Sequence, residues 1–111
     1  MRKLFHISIL FIAFGSLWAC SFRLHPPTSE QIDQVVKNQP GTNSDLLQMG
    51  FEVYVDKCSQ CHKLHKPWKY YQSQWEKEIL PKMSKKAKLN DEELKEIKTY
   101  IYAFSKDKQI N

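Results

Sequence analysis

Residues 58–62 read Cys58-Ser59-Gln60-Cys61-His62, and most of what the sequence indicates depends on this stretch. On a helical turn, side chains at positions i, i+3 and i+4 lie on one face. The two cysteines and the histidine are therefore expected to point toward the same bound group. The third cysteine, Cys20, lies far away in the sequence and needs a separate explanation.

The spacing C-x-x-C-H is the attachment sequence of c-type haem, in which two thiols bond to the porphyrin edge and the histidine binds the iron. We therefore expect one haem c per chain, held by Cys58, Cys61 and His62. Three other interpretations compete with it. A Cys58–Cys61 disulfide leaves the histidine unexplained. A zinc site that adds His65 lacks the usual two separated ligand pairs, and a thioredoxin-like redox pair needs a βαβ setting.

Haem iron in such proteins commonly takes methionine as its second axial ligand. The candidates in this sequence are Met49, Met83, His25 and His65. We favour Met83, which follows Pro81, because a proline-broken backbone there can turn the thioether toward the haem. Ordinary packing of that side chain is the alternative.

The remaining candidates have specific weaknesses as iron ligands. His65 is expected to leave the backbone on the same side as His62, which keeps it from the opposite face of the ring. Met49 is next to Gly50 on a helix and is expected to be a packing residue. His25 lies outside the predicted domain and could ligate only if its segment folded over the haem.

The first nineteen residues have the layout of a secretory signal peptide. A positive start, Arg2-Lys3, precedes an apolar run over 4–18 that is too short to span a bilayer, which takes about 20 residues. The run ends in Leu17-Trp18-Ala19-Cys20, which resembles a bacterial lipobox. We expect residues 1–19 to be a lipoprotein signal peptide and Cys20 to be lipidated; the alternative is a secreted protein with a spare thiol.

Residues 20–43 are polar and contain Pro26-Pro27 and Pro40-Gly41, which favours a flexible tether. Its apolar residues Ile32, Val35 and Val36 could form one short helical turn that is marginal alone. A flexible tether of this length typically reaches about 25–30 Å and would lift a domain clear of a membrane.

The domain is expected over residues 44–111 and is predicted to be all-α, because no strand pattern of period two is present. A first helix, Asp45 to Lys57, has one apolar face that includes Leu47, Gly50, Phe51 and Tyr54. A glycine inside a helix indicates that another backbone passes close by.

Two further helices are predicted. The second begins with a capping box from Ser73 to Glu76, and Pro81 is expected to end or bend it. The last begins at Asn90, whose side chain is a good N-cap. Its buried stripe is Leu94, Ile97, Tyr100, Ile101 and Phe104.

Over residues 46–104 the chain resembles the short monohaem cytochromes c of bacteria. The resemblance is carried by Gly50, Tyr54, Cys58, Cys61, His62, Pro67, Tyr70, Trp75, Met83, Leu89, Glu93, Ile97, Tyr100 and Ile101. It implies a small cytochrome c-like helical domain around one covalent haem, with the first and last helices crossing near Gly50 and Tyr100. It also implies His62 as proximal and Met83 as distal ligand, with a shorter intervening loop than in larger relatives.

Weaker expectations concern the surroundings of the haem. A backbone carbonyl near Pro67 is expected to accept the free N–H of His62, as such groups usually do for metal-bound histidine. Tyr70 or Trp75 would line the ring or reach a propionate, and plain core packing is an equal alternative.

Removal of residues 1–19 would leave 15 basic and 12 acidic residues, an excess too small to argue for nucleic acid. Between residues 57 and 88, however, there are nine lysines and only two acidic residues, Glu76 and Glu78. If they surround an exposed haem edge, they would steer acidic redox partner proteins toward it. A solvated face is the equal alternative.

These features favour a one-electron carrier on the periplasmic side, attached to the membrane by a lipid anchor. Ser21 carries no acidic inner-membrane retention signal, which slightly favours the outer membrane. No acid–base pair, Ser/His/Asp set or phosphate loop indicates an enzyme. The alternatives are a haem subunit of a periplasmic oxidoreductase complex and a ligand-sensing haem protein with a displaceable sixth ligand.

Overall fold

The computed structural model describes residues 23–108, so the expected signal peptide and Cys20 lie outside the described residues. Its α-helices are α1 (Ser29–Asn38), α2 (Ser44–Cys58), α3 (Gln72–Gln74), α4 (Leu80–Ala87) and α5 (Asp91–Ala103). Two 3₁₀ turns, Pro67–Lys69 and Lys106–Lys108, and a π-helical turn, Trp75–Ile79, complete it. No strand occurs between residues 23 and 108, and the all-α prediction is confirmed. Over the same residues, no helix is long and apolar enough to cross a bilayer.

The contact between α2 and α5 depends on Gly50. A Cβ atom placed there would collide with the carbonyl oxygen of Glu96 and lie 2.8 Å from Cβ of Tyr100. The two backbones can approach only because the glycine has no side chain. The expectation that the first and last helices meet near Gly50 and Tyr100 is confirmed.

Aromatic rings fill the space beside this crossing. Tyr100 contacts Phe51 edge-on at 5.5 Å between centroids and contacts Tyr54 at 5.9 Å. Trp75 is 1% exposed and lies 6.4 Å from Tyr54. Such large buried rings supply much of the apolar area in a domain this small. The residues that complete the buried core are Val35, Leu47, Cys58, Leu80, Ile97, Ile101, Ala103 and Phe104.

The helical segment around Pro81 differs from its prediction. It begins at Gln72, where Gln74 Oε1 accepts a hydrogen bond from the N–H of Tyr71, so the expected capping box at Ser73 is wrong. Helical hydrogen bonding also continues past Pro81 to Ala87. The π-helical turn directly before Pro81 gives the physical reason, because a wider turn displaces the carbonyl that would clash with the proline ring.

The segment expected to be a flexible tether contains the ten-residue helix α1. Thr28 and Gln31 form a reciprocal capping box at its start, with bonds of 2.9 and 3.3 Å. The helix is not isolated, because Val35 is buried in the core and Gln39 Nε2 donates to the carbonyl oxygen of Ala103 at 3.4 Å. Packing against the domain stabilises a helix that would be marginal alone.

The start of α5 agrees with its prediction. Asn90 Oδ1 accepts from the N–H of Glu93 at 2.8 Å, and Glu93 Oε2 accepts from the N–H of Asn90 at 3.0 Å. The helix ends at Ala103, and the chain then turns so that the N–H of Lys106 donates to the carbonyl oxygen of Tyr70. This bond attaches the end of the described chain to the segment that follows the C-x-x-C-H stretch.

Candidate functional site

Cys58 is the last residue of α2, and the next three residues form a turn. Asn43 caps the start of this helix, with its Oδ1 accepting from the N–H of Leu46 at 2.9 Å. At the other end, Gln60 Nε2 donates to the carbonyl oxygen of Asp56, one of the helix's free carbonyls. Cys61 and His62 therefore lie on a turn after the helix, not on the helical turn that the spacing predicted.

Despite this, one narrow crevice brings together all four residues predicted to hold a haem. It is lined by Lys57, Cys58, Cys61, His62, Met83, Lys86 and Ala87, and we call it the Met83 crevice. The end of α2 and the turn after it form one wall, and α4 forms the other. Met83 reaches this place although it lies 21 residues from His62 in the sequence.

The imidazole of His62 is exposed, and its orientation is held locally. Its Nδ1 lies 2.7 Å from the carbonyl oxygen of Lys63. Because a carbonyl oxygen only accepts, Nδ1 carries the proton, which leaves the Nε2 lone pair for a metal. The expected partner of His62 near Pro67 is therefore wrong, since the carbonyl oxygen of Pro67 accepts from Trp75 Nε1 at 2.9 Å. That bond and its burial make Trp75 a core residue.

The two thiols of the motif have different surroundings. Cys58 is buried, Cys61 is exposed, and no disulfide joins them. Burial, with a smaller contribution from Cys61, raises the pKa of the Cys58 thiol to about 11. A buried thiol with a raised pKa is a poor nucleophile in neutral solution, which leaves Cys61 as the accessible thiol of the pair.

The other candidate iron ligands do not line the Met83 crevice. The ring of His65 is centred 5.3 Å from that of His62 and contacts Tyr70 and Trp75 edge-on. Burial, followed by His62 and Lys69, lowers the pKa of His65. Met49 is 44% exposed on α2, so its expected packing role is wrong. His25 is exposed and lines a different crevice, beside Trp68.

The zinc interpretation gains no support from this geometry. Within residues 23–108, no group of three or more His, Cys, Asp and Glu side chains is arranged to hold a metal ion. A c-type haem needs fewer metal ligands from the protein than a zinc site does. It takes two thiols for the porphyrin and one axial ligand on each side of the iron. In donor type alone, the residues of the Met83 crevice match this set.

The nine lysines of residues 57–88 do not form one ring around the Met83 crevice. Lys57 and Lys86 line it, and Lys57 Nζ makes a 3.0 Å ion pair with Glu93 Oε1. The hydrogen bond to Glu93 raises the pKa of Lys57. The N–H of Asn90, followed by Lys57, lowers the pKa of Glu93. Lys63, Lys66 and Lys69 instead line another crevice, with Leu64 and His65.

Arg23 and Leu24 were not among the residues that the sequence singled out. Both line a further crevice with His62, and Leu24 is half-buried against the core. The one available signal was Leu24 itself, an apolar residue between Arg23 and His25.

No protein-family model, curated protein or solved structure matches this chain. The function is therefore argued from the residues of the Met83 crevice and their geometry.

Proposed function

We propose that the protein is a one-electron carrier with one covalently attached haem c. Thioether bonds from Cys58 and Cys61 would hold the porphyrin, and His62 and Met83 would be the axial ligands of the iron. The bound haem would supply reversible ferric–ferrous electron exchange. With both axial positions filled by protein, the iron would be closed to substrates, which fits a carrier better than an enzyme.

One observation carries this proposal: Cys58, Cys61, His62 and Met83 line the same crevice. The first three are close in sequence, but nothing local requires a methionine on α4 to meet them. A methionine that only filled the core would not need to face two cysteines and a histidine. Met49, in contrast, is 44% exposed and does not line this crevice.

The protein groups around the crevice have separate tasks. The Lys63 carbonyl oxygen accepts from Nδ1 of His62, which would leave Nε2 free to bind the iron. Met83 lines the crevice from α4, which continues the π-helical turn past Pro81.

We propose further that residues 1–19 direct export, that Cys20 is lipidated, and that the carrier works on the periplasmic side. Growth with a labelled fatty acid tests the anchor: the label should enter the wild-type protein and be absent from Cys20→Ser. Label in both proteins would place the lipid on another residue. Label in neither protein would refute the lipid anchor.

Absorption spectra of the purified oxidised and reduced protein test the haem proposal. We expect low-spin cytochrome c bands and a weak far-red methionine–iron band. Met83→Ala should lose the far-red band, whereas the control Met49→Ala should keep it. Cys58→Ser with Cys61→Ser should lose covalent haem altogether.

The other outcomes of this experiment are equally informative. A low-spin spectrum that is unchanged in Met83→Ala would show that Met83 is not an iron ligand. A high-spin reduced protein that binds carbon monoxide rapidly would replace the carrier with a ligand-sensing haem protein. Absence of covalent haem from the wild-type protein would refute the proposal entirely.

A further inference from the structure

The chain before α1 lies along the surface of the domain. Leu24 is half-buried against the core, and with Arg23 it lines a crevice formed by Val55, Ser59, His62, Lys63 and Leu64. The residues that follow, up to Thr28, line a second crevice with Lys66, Trp68 and Tyr100. The chain therefore approaches the His62 side of the domain as it is followed toward its N-terminus.

These crevices join into one surface of a single charge sign. Arg23 lines both, Lys63 lines the first, and Lys66 and Trp68 line the second. A third crevice contains Lys63 and Lys66 again and adds Lys69. We call Arg23, Lys63, Lys66, Trp68 and Lys69 the basic face. No Asp or Glu lines any of the three crevices.

The aromatic member of this face has the character of an interfacial residue. Trp68 is 41% exposed, and Lys66 Nζ lies 5.8 Å from the centre of its ring. Tryptophan beside lysine is typical of surfaces at a membrane–water boundary, where the ring enters the headgroup layer and the cation remains hydrated. Trp75, in contrast, is fully enclosed by protein.

The proposed lipidation site is close to the same face. Cys20 is three peptide bonds from Arg23. Consecutive Cα atoms across a trans peptide are about 3.8 Å apart, so these two residues are separated by at most about 11 Å. A lipid on Cys20 would therefore hold the basic face close to headgroups, and not 25–30 Å away as a free tether would.

We propose that the basic face lies flat on an anionic phospholipid surface, with the His62 side of the domain toward the membrane. This inference rests on the proposed lipid anchor. Each lysine or arginine near an anionic bilayer strengthens binding by about fivefold, and the exposed ring of Trp68 adds apolar contact. The aromatic residue and the anchor favour a membrane over an acidic protein as the occupant.

The test uses the mature chain from residue 20 with its haem, exported by a leader that is cleaved without lipidation and with Cys20→Ser. Binding measured in this way comes from the face alone. We expect it to bind vesicles of phosphatidylcholine mixed equally with phosphatidylglycerol, and to bind pure phosphatidylcholine vesicles much more weakly. Lys63→Gln with Lys69→Gln should weaken binding to the anionic vesicles about 25-fold, and Trp68→Ala should weaken it further.

A matched control is available on α4, where Lys82 and Lys85 are exposed and line none of the three crevices. Their double glutamine variant has the same net charge as the test variant and should bind several-fold more tightly. Equal binding by the two variants, or equal binding to both kinds of vesicle, would overturn the proposal. Salt-sensitive binding to an acidic protein without vesicle binding would assign the face to a protein partner and overturn it as well.

The two proposals fail in different ways. Vesicle binding by a chain that carries no haem would leave the membrane face intact and refute the electron carrier. A normal haem spectrum without vesicle binding would refute only the membrane face.

Discussion

The hydroxyl of Tyr54 donates a 2.7 Å hydrogen bond to the carbonyl oxygen of His65. Tyr54 belongs to α2 and is 3% exposed, whereas His65 lies in the irregular stretch after the C-x-x-C-H turn. Residues 63–66 belong to no helix, and this bond, together with the packing of Leu64, holds them against the core. It connects the helix that ends in Cys58 with the chain that leaves His62.

Tyr54→Phe tests this bond. We expect the free energy of unfolding to fall by about 1–3 kcal/mol, because the carbonyl oxygen loses its donor inside the protein. Chemical denaturation of the holoprotein measures it. The control is Tyr71→Phe, at a residue that is 47% exposed, where we expect a change within about 0.5 kcal/mol. Equal stability of the two variants would mean that the bond contributes nothing.

Stability should also fall in alkaline solution. Burial raises the pKa of the phenols of Tyr54 and Tyr100 above the ordinary 10.0. Above pH 10 the tyrosines of the unfolded chain release their protons, while those of the folded protein retain them. Ionisation therefore stabilises the unfolded state, and the free energy of unfolding falls. Unfolding followed from pH 8 to pH 11 should show a decline that is shallower in Tyr100→Phe. An unchanged slope in that variant would contradict the assignment.

Gly50→Ala should destabilise the protein although alanine is the better helix former. Its Cβ would meet the Glu96 carbonyl oxygen and Tyr100 Cβ, and overpacking of this kind typically costs about 1–3 kcal/mol. The helix-propensity gain of about 1 kcal/mol offsets only part of that cost. Thermal unfolding compares this variant with Met49→Ala, at the adjacent exposed position, which should be nearly neutral. A stabilised Gly50→Ala protein would mean that α2 and α5 are farther apart.

Trp75→Phe should be costly because Trp75 fills the core and also donates to Pro67. Loss of the indole leaves a cavity and removes the 2.9 Å hydrogen bond to the Pro67 carbonyl oxygen, which keeps only a 3.5 Å bond from the N–H of Tyr70. We expect a cost of about 2–4 kcal/mol. The exposed Trp68→Phe is the matched control and should change stability by less than about 0.5 kcal/mol. Urea denaturation gives the free energy of unfolding of each variant. A much larger decrease for Trp75→Phe than for Trp68→Phe would support the structural role of Trp75, and equal decreases would contradict it.

Val35→Ala tests whether α1 belongs to the domain. If Val35 is buried as described, its truncation should cost about 1–2 kcal/mol. Its neighbour Val36 is 38% exposed, and Val36→Ala should be close to neutral. Two variants that both unfold like the wild-type protein would restore the view of residues 20–43 as a free tether.

The sequence by itself determined the features that depend on near neighbours. The helix α2 was predicted within a residue at each end, and the N-cap at Asn90 was identified because its bonds reach only three residues. The sequence also predicted that Cys58, Cys61 and His62 meet at one place, but not that Cys61 and His62 do so from a turn after the helix. Gly50 is a partial exception, since a glycine inside a helix indicated a crossing that local structure does not need.

The tertiary structure alone decided the features that depend on distant partners. Val35 has few apolar neighbours along the chain, so α1 is stable only against the domain. The carbonyl oxygen of Pro67 could have accepted from His62, and the position of Trp75 in the core decided against that. Met83 lines the crevice of Cys58 and His62 because α4 packs against α2. Contacts between residues far apart in sequence depend on how all helices pack together, and no short stretch of sequence contains that information.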